Sequence, residues 1–392
     1  MRNIILLLFI ISLTNCSLPK KTDLKPIIEG KPVLMVDIFS TIDEYKLEEI
    51  RLSEFVDSVK FIKLETKDEC LIDYINKVYF IEAGILIIDR QQGIMLFDNN
   101  GGFIRKIGNR GRGPGEYLKI TASTYDYKKQ LLIIYGDTAR KLLVYNLAGD
   151  CIKEIPFETE REAALRDIAK LPNGNYLCYN DIATSNKNND SGLWEMDSAG
   201  VFVRNLFRYD IAIKSRSSIS AKFQQLSDGT ISLQDALHND IYYYKDSKLR
   251  RYISYVPNYE VTQPPAAKAN GSNIVTAQVK ENYIITDWAV NPPLYGTSPG
   301  VPPMFSLYDK RRNKNKFTLG FDNSDINAIW DPLMTDTNRD DILLIPLYGG
   351  AKSSKEITSE HDKTILGTLT GGMSEGEAKT MNPILEILYM RK

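Results

Sequence analysis

Short apolar runs separated by polar turns recur along most of the chain. Each run is rich in Ile, Leu, Val or Tyr and each turn contains Gly, Asn or Asp, a pattern typical of β-strands joined by tight turns. Matching sets of runs stand on either side of the glycine-rich stretch Gly108–Tyr117. They are Ile85–Asp89, Ile94–Asp98 and Gly102–Ile107 before it, and Leu131–Tyr135, Leu142–Asn146 and Asp150–Ile155 after it. The equivalent residues Asp98 and Asn146 lie 48 positions apart, so the chain repeats a unit of that length.

Two further copies of this unit follow. Their runs are Asn175–Tyr179, Leu193–Asp197 and Gly200–Arg204, then Thr230–Leu233, Ile241–Tyr244 and Leu249–Ile253. Each of the four units opens with one more short run, at Val78–Ile81, Thr121–Tyr125, Arg166–Leu171 and Lys222–Leu226. A meander of four strands in about 48 residues is the signature of a β-propeller blade.

The last two units are stretched by long insertions. A fifth contains Tyr283–Thr286, Phe305–Asp309 and Phe317–Leu319, and a sixth contains Ile326–Trp330, Ile342–Ile345 and Ile384–Tyr389. The sixth lacks an outer strand, whereas Val59–Leu64 has no unit of its own. Pairing this segment with Ile384–Tyr389 would remove an exposed sheet edge. The sequence therefore predicts an all-β fold, a six-bladed β-propeller of four-stranded antiparallel blades whose ring is closed by an N-terminal strand.

The amino terminus carries an export signal. Arg2 precedes an apolar run from Ile4 to Ile11. A basic residue followed by a short apolar run is typical of a signal peptide, and this run is too short to span a bilayer. Leu13-Thr-Asn-Cys16 resembles the lipobox at which bacterial lipoproteins are cleaved and lipidated on Cys16, although Asn15 departs from the usual small residue. An ordinary signal peptide with an incidental cysteine is the alternative. We assign residues 1–15 to the signal, 16–50 to a tether and 51–392 to the propeller.

The segment Val59–Thr66, the Asp-Glu-Cys-Leu that follows it, and Gly108–Tyr117 resemble a family of six-bladed β-propeller lipoproteins of Gram-negative bacteria, similar in appearance to NHL-repeat propellers. The resemblance covers roughly Asp57 to Lys392 and is strongest over the first two units. It implies a propeller fold and a lipid anchor in the cell envelope, most simply in the outer membrane. Whether the protein faces the periplasm or the cell surface is left open. It implies little about activity.

Strand order sorts the loops by face. In an antiparallel blade, the loop between the second and third strands lies on the same face as the crossing to the next blade. Gly108–Tyr117 is such a crossing, and the long loops Asn180–Gly192, Asp287–Met304 and Leu347–Met381 each join a second to a third strand. We call this the long-loop face. Long insertions on one face of a repeat protein mark its binding side.

Candidate binding residues lie in these loops. Arg110, Arg112, Glu116 and Tyr117 form a polar patch in which guanidinium groups can clamp a carboxylate or phosphate and glycine N–H groups can form an anion nest. The alternative is a tight crossing whose charges pair with neighbouring blades. Three aromatic residues beside the long loops are candidates for stacking on a ligand, although aromatic residues in this chain also pack between strands. They are Trp288, Tyr295 and Tyr348.

Catalytic signals are few. The chain has only two histidines, His238 and His361, in different units, and it lacks the G-x-S-x-G, P-loop and H-E-x-x-H motifs. No cofactor is predicted. Calcium binding is not excluded, because three scattered aspartates, Asp126, Asp167 and Asp287, can point to the channel. With Cys16 lipidated, Cys70, Cys151 and Cys178 remain, so at least one cysteine is unpaired.

The charge composition bears on which classes of partner the protein can bind. Lys plus Arg number 49 and Asp plus Glu 50, a balance that gives no electrostatic footprint for nucleic acid. The sequence favours a non-enzymatic binding or scaffolding propeller of the cell envelope, which engages a small ligand or an envelope protein on the long-loop face and meets the membrane through its lipid alone. The alternative is a metal-dependent lyase or hydrolase with its site at the channel mouth.

Overall fold

The strands assemble into six antiparallel sheets arranged as the blades of a ring, which confirms the predicted all-β, six-bladed propeller. A computed structural model describes the chain over residues 28–29, 31–32, 34–37, 47–136, 141–156, 165–180, 192–208, 223–235, 240–256, 273–289, 304–323, 328–330, 334–348 and 380–392. Cys16, Tyr295, both histidines and most of the three long loops lie outside these ranges.

Blades 1 to 3 follow the predicted order from the inner to the outer strand. Blade 1 consists of β5 (Ile75–Ile81), β6 (Gly84–Asp89), β7 (Gly93–Phe97) and β8 (Phe103–Lys106). Next come the crossing strands β9 (Asn109–Arg110) and β10 (Glu116–Tyr117). Blade 2 consists of β11 (Ile120–Asp126), β12 (Leu131–Gly136), β13 (Lys141–Tyr145) and β14 (Cys151–Pro156). Blade 3 consists of β15 (Asp167–Lys170), β16 (Tyr176–Asn180), β17 (Gly192–Met196) and β18 (Phe202–Arg208).

Blades 4 and 5 repeat this order. Blade 4 consists of β19 (Phe223–Gln225), β20 (Ile231–Asp235), β21 (Asp240–Lys245) and β22 (Lys248–Val256). Blade 5 consists of β23 (Asn273–Val279), β24 (Tyr283–Ala289), β25 (Met304–Asp309) and β26 (Lys314–Thr318). After blade 5 come β27 (Phe321–Asn323), β28 (Ala328–Trp330) and β29 (Asp336–Thr337).

Blade 6 takes its strands from both ends of the chain. The strands β30 (Ile342–Leu347) and β31 (Ile384–Met390) pair with each other, and β31 pairs antiparallel with β4 (Val56–Lys63). Ile384 lies opposite Lys63 and Tyr389 opposite Ser58, which is the pairing expected of Val59–Leu64.

The inner strand of blade 6 differs from the prediction. Ile326–Trp330 was expected to open this blade, but β28 pairs with β27, which in turn pairs with β3 (Ile50–Arg51). The inner position is taken by Thr335, which bridges to Leu344, and by β29, which runs parallel to β5 of blade 1. The prediction was wrong because the inner strand is short and polar. It therefore lacks the apolar residues by which the other strands are found in the sequence.

Part of the segment assigned to the tether pairs with the propeller. The strands β1 (Ile28–Glu29) and β2 (Leu34–Asp37) add to the outer edge of blade 4, parallel to β22. Further along, the N–H of Glu48 donates to the carbonyl of Phe317 on the outer strand of blade 5. The N-terminal segment therefore contacts the outside of blades 4 and 5 before it becomes the outer strand of blade 6.

Both faces of each blade are apolar because each blade is packed between two others. In blade 2, Leu132 and Ile134 pack against blade 1, whereas Ile133 and Tyr135 pack against blade 3. Each of the six clusters of buried apolar residues spans two neighbouring blades, and the cluster between blades 6 and 1 is formed partly by residues at the end of β4. Burial of apolar area at these junctions is the main favourable contribution to folding.

A repeated turn joins neighbouring blades at the rim. The third-to-fourth-strand turns of blades 1 and 2 contain Gly101 and Gly149 with φ of +92° and +101°. Their carbonyls accept the N–H groups of Glu65 and Gly108, which follow the outer strands of blades 6 and 1. A Cβ on Gly101 would lie 2.2 Å from the carbonyl oxygen of Lys63 at the end of β4. Hence β4 contacts the third-to-fourth turn of blade 1 in the same way as β8 contacts that of blade 2.

Cys70, Cys151 and Cys178 are all free thiols, which confirms the expectation of at least one unpaired cysteine. Within the described ranges, the helical segments are too short or too polar for any of them to traverse a lipid bilayer.

The contacts before β4 predict that this segment stabilises the ring. Phe55 is fully buried and its ring lies 5.1 Å from that of Phe321, whereas Val59 on the same stretch is 41% exposed. Phe55→Ala should therefore lower the free energy of unfolding by about 3–5 kcal/mol, and Val59→Ala by about 0.5 kcal/mol or less. Urea unfolding midpoints measure both. Equal, small effects would show that residues before β4 contribute nothing to the fold.

Candidate functional site

Polar side chains from the inner strands of the blades meet on the ring axis. Lys77 of blade 1 contacts Asp167 of blade 3, and Gln224 of blade 4 contacts Asp336 beside blade 6. These blades are not neighbours, so the contacts can form only across the central channel. We call Lys77, Asp167, Gln224, Gln278 and Asp336 the axial cluster.

One half of the axial cluster is an ion pair. Lys77 Nζ lies 3.4 Å from Asp167 Oδ1, and both side chains are buried. The N–H of Phe223 donates to Asp167 Oδ2 at 2.7 Å, which links the pair to blade 4. Burial alone would lower the pKa of the Lys77 ammonium, but the Asp167 carboxylate and the more distant Asp336 reverse this and raise the pKa above its usual value.

The other half is a carboxylate held by two amides. Gln224 Nε2 and Gln278 Nε2 donate to Asp336 Oδ1 at 2.9 and 2.8 Å. Burial raises the pKa of Asp336, against the opposing effects of Lys77 and the two amides. Asp336 Oδ2 and Gln278 Oε1 form no hydrogen bond with any residue that the structure describes. The axis therefore holds a fixed polar network with unused acceptors.

The end of the channel on the long-loop face is bordered by Tyr74 and Arg90. Asp89 Oδ2 accepts the N–H groups of Asp73 and Tyr74 at 2.7 and 2.8 Å, which fixes the crossing from blade 6 to blade 1. The Tyr74 side chain is 38% exposed. Its pKa is raised by partial burial and then by the Asp336 charge, and Arg90 opposes both. Tyr74 is thus partly exposed and lies within electrostatic range of Asp336.

At the opposite end of the inner strands, the first turn of blade 6 contacts blades 1 and 4. Asn338 exchanges two hydrogen bonds of 2.8 Å with the backbone of Phe80, and Asp340 Oδ2 accepts the N–H and hydroxyl of Ser227 at 2.8 and 2.9 Å. Lys280 is buried beneath this turn, and burial lowers its pKa to about 8 despite the nearby carboxylates, chiefly Asp336 and Asp340.

The glycine-rich crossing is built around its own carboxylate. Glu116 Oε2 accepts the N–H of Gly113 at 2.8 Å, and a Cβ on Gly111 would lie 1.9 Å from the same oxygen. The N–H of Gly115 donates to Glu154 of blade 2, and the Tyr145 hydroxyl donates to the carbonyl of Gly115 at 2.7 Å. Carboxylates of the chain itself therefore occupy the N–H groups of Gly113 and Gly115, which the sequence had offered as a nest for an external anion.

The two arginines of the crossing are exposed on this fixed backbone. Arg110 Nη1 donates to the carbonyl of Gln91 in the second-to-third turn of blade 1, so crossing and turn lie on the same face as predicted. Arg112 is exposed and makes no hydrogen bond or ion pair with a described residue. Both arginines are thus exposed on the long-loop face, two positions apart in the crossing.

The other predicted site residues divide into buried and undescribed ones. Tyr117 is buried, its hydroxyl accepts the N–H of Ile94 and donates to the carbonyl of Ile107, and burial raises its pKa to about 12. Tyr348 accepts the N–H of Ile75 at 2.9 Å and joins blade 6 to blade 1. Both hydroxyl groups are therefore used for hydrogen bonds within the fold. Trp288 lies in β24, where only its backbone is described, and Tyr295 and Cys16 fall outside the described residues.

Sequence reasoning placed only Asp167 of the axial cluster at the channel. Of the other two aspartates considered, Asp126 caps its own turn by accepting the N–H groups of Lys128 and Lys129, and Asp287 lies in the second strand of blade 5. The missed signal is a polar residue within a short inner strand, as at Lys77 in β5 and Gln278 in β23. Among the described residues, no three His, Cys, Asp or Glu side chains form a group able to hold a metal ion.

The axial ion pair predicts strong coupling between its partners. Lys77→Met leaves Asp167 buried without its cation and should lower the free energy of unfolding by about 3–5 kcal/mol. Asp167→Asn should also destabilise the protein, and the double variant should lose about 1–3 kcal/mol less than the sum of the two. Urea unfolding of the four proteins measures this cycle. Strict additivity would mean that the two charges do not interact across the channel.

Comparisons with known proteins agree with this architecture. Over 92% of this chain and the full length of the other, the structure is similar to that of a Bacteroides fragilis protein inferred to be exported, with a TM-score of 0.67 and 15% identity. It is also similar to a member of the DUF4221 family from Bacteroides vulgatus, with a TM-score of 0.52 and 11% identity over 86% of this chain and 97% of that one. At such identities the similarity establishes the fold alone.

No curated protein matches the sequence. The profile of one family, described as "Domain of unknown function (DUF4934)", matches residues 35–385, which contain blades 1 to 5 and blade 6 as far as the start of β31. This chain is therefore a member of the DUF4934 family, and it folds as a six-bladed β-propeller.

Proposed function

We propose that this protein is a lipid-anchored propeller of the cell envelope that acts as a non-enzymatic binding or scaffolding module. In this proposal Cys16 carries the lipid and the long-loop face engages the ligand or envelope protein. Support for export comes from the signal-like amino terminus and from the exported-protein assignment of the Bacteroides fragilis relative.

The observation that carries the binding proposal is the rigid display of Arg110 and Arg112. Glu116, Glu154 and Tyr145 hold the crossing between them, so its backbone needs no ordering when a partner binds. A rigid loop with two exposed guanidinium groups suits an anionic partner, because guanidinium forks match carboxylate and phosphate geometry. We therefore expect the partner to present carboxylate or phosphate groups.

Anchoring is tested by lipid labelling. If Cys16 is the attachment site, Cys16→Ser should abolish incorporation of radiolabelled fatty acid and should release the protein from the membrane fraction. Labelling that persists in the Cys16→Ser protein would rule out this anchor.

Binding through the crossing is tested with an Asp/Glu-rich peptide as the probe. Arg110→Ala with Arg112→Ala should weaken binding at least tenfold in fluorescence anisotropy and change the free energy of unfolding by no more than about 1 kcal/mol, as is usual for surface residues. Lys128→Ala with Lys129→Ala, exposed residues of the turn between β11 and β12, is the matched control and should bind normally.

Two outcomes would contradict this assignment. A loss of several kcal/mol in the arginine variant would show that the arginines serve the fold. Peptide binding that ignores both the arginine changes and truncation of the long loops would place the binding site elsewhere.

A further inference from the structure

A polar groove opens at the rim where three distant parts of the chain meet. It has a volume of about 580 Å³, and the described residues that line it are Glu49, Arg51, Ser53, Glu54, Arg312 and Arg391. They come from the segment before β4, from the turn between β25 and β26, and from the residue after β31. The groove therefore exists only when blade 5, blade 6 and the N-terminal segment are in place.

The arginines of the groove have donors to spare. Arg312 is 77% exposed, and its Nε lies 3.8 Å from Asp309 Oδ2, beyond hydrogen-bond distance. Arg391 uses its Nε on the carbonyl of Val56 at 3.2 Å, and its two terminal nitrogens make no hydrogen bond with a described residue. Arg51 is exposed and uses its backbone N–H on Glu54.

One of the two carboxylates of the groove is already neutralised. Glu54 Oε1 accepts the N–H of Arg51 at 3.1 Å and Glu54 Oε2 pairs with Lys316 Nζ at 2.8 Å. Burial would raise the pKa of Glu54, but the hydrogen bonds from Lys316 and Arg51 outweigh it and lower the pKa. Glu49 is the remaining carboxylate of the lining, beside the guanidinium groups of Arg51, Arg391 and Arg312, of which Arg312 is also within ion-pair distance of Asp309.

We propose that this rim groove binds a phosphate group. Arginine forks hold phosphate bidentately, and the groove has the volume of a small-ligand site but is lined by charged and hydroxyl groups. Because its walls come from segments that meet only in the closed ring, phosphate binding is linked to closure and stabilises the folded protein. This inference does not depend on the function proposed for the long-loop face.

The site is tested by calorimetric titration of inorganic phosphate at constant ionic strength. Arg51→Ala with Arg312→Ala should weaken binding at least tenfold, whereas Lys128→Ala with Lys129→Ala should leave it unchanged. Phosphate at ten times its Kd should raise the Tm of the wild-type protein by about 2 °C relative to chloride, and it should not do so in the variant that lacks both groove arginines.

A second arm identifies the source of the phosphate. Flotation with vesicles that contain phosphatidic acid, compared with vesicles of phosphatidylcholine, distinguishes a lipid headgroup from a free phosphate. Binding to phosphatidic acid that depends on Arg51 and Arg312 would assign the headgroup, and titration with inorganic phosphate alone would assign a free anion. Binding of neither, or binding that survives loss of both arginines, would overturn the proposal.

Discussion

The ring depends on the contact between the outer strand of one blade and the third-to-fourth turn of the next, which the structure shows between blades 6 and 1, 1 and 2, and 2 and 3. Gly101 and Gly149 adopt positive φ there, and their carbonyls accept N–H groups that follow β4 and β8. Without a junction between the last blade and the first, six copies of the repeat could stack only in a row and could not form a ring. The N-terminal strand β4 provides this junction, because it pairs with β31 and presents its end to blade 1 as β8 and β14 present theirs to blades 2 and 3.

Closure then determines where polar chemistry can lie. The two faces of every blade are used for apolar packing, so polar groups are left for the rim, the loops and the axis. At the axis, side chains from blades that are not neighbours meet in a small buried volume, as in the Lys77–Asp167 pair. Such a pair favours one arrangement of the ring, because a buried charge without its partner is costly.

The sequence predicted the strands that recur at a regular spacing. It did not predict elements of only a few residues, or groups of residues that are brought together only by the fold. The 48-residue spacing identified the blades, and the two unmatched strands predicted the pairing of β4 with β31. The inner residues of blade 6 were missed because Asp336 and Thr337 look like a turn. The axial cluster could not be assembled from sequence, since its members lie as far apart as Lys77 and Asp336. For the crossing, glycine spacing indicated a sharp bend but not that Glu116 would fill it.

Native-state hydrogen exchange of the amides in β4 and β31 tests most directly whether the ring depends on its N-terminal strand. If the ring depends on β4, ladder amides of this pair, such as those between Ile62 and Leu385, exchange only through global unfolding, with the same free energy as amides between β12 and β13. Exchange of β4 at a free energy several kcal/mol lower, while the blades stay protected, would show that the ring holds without this strand.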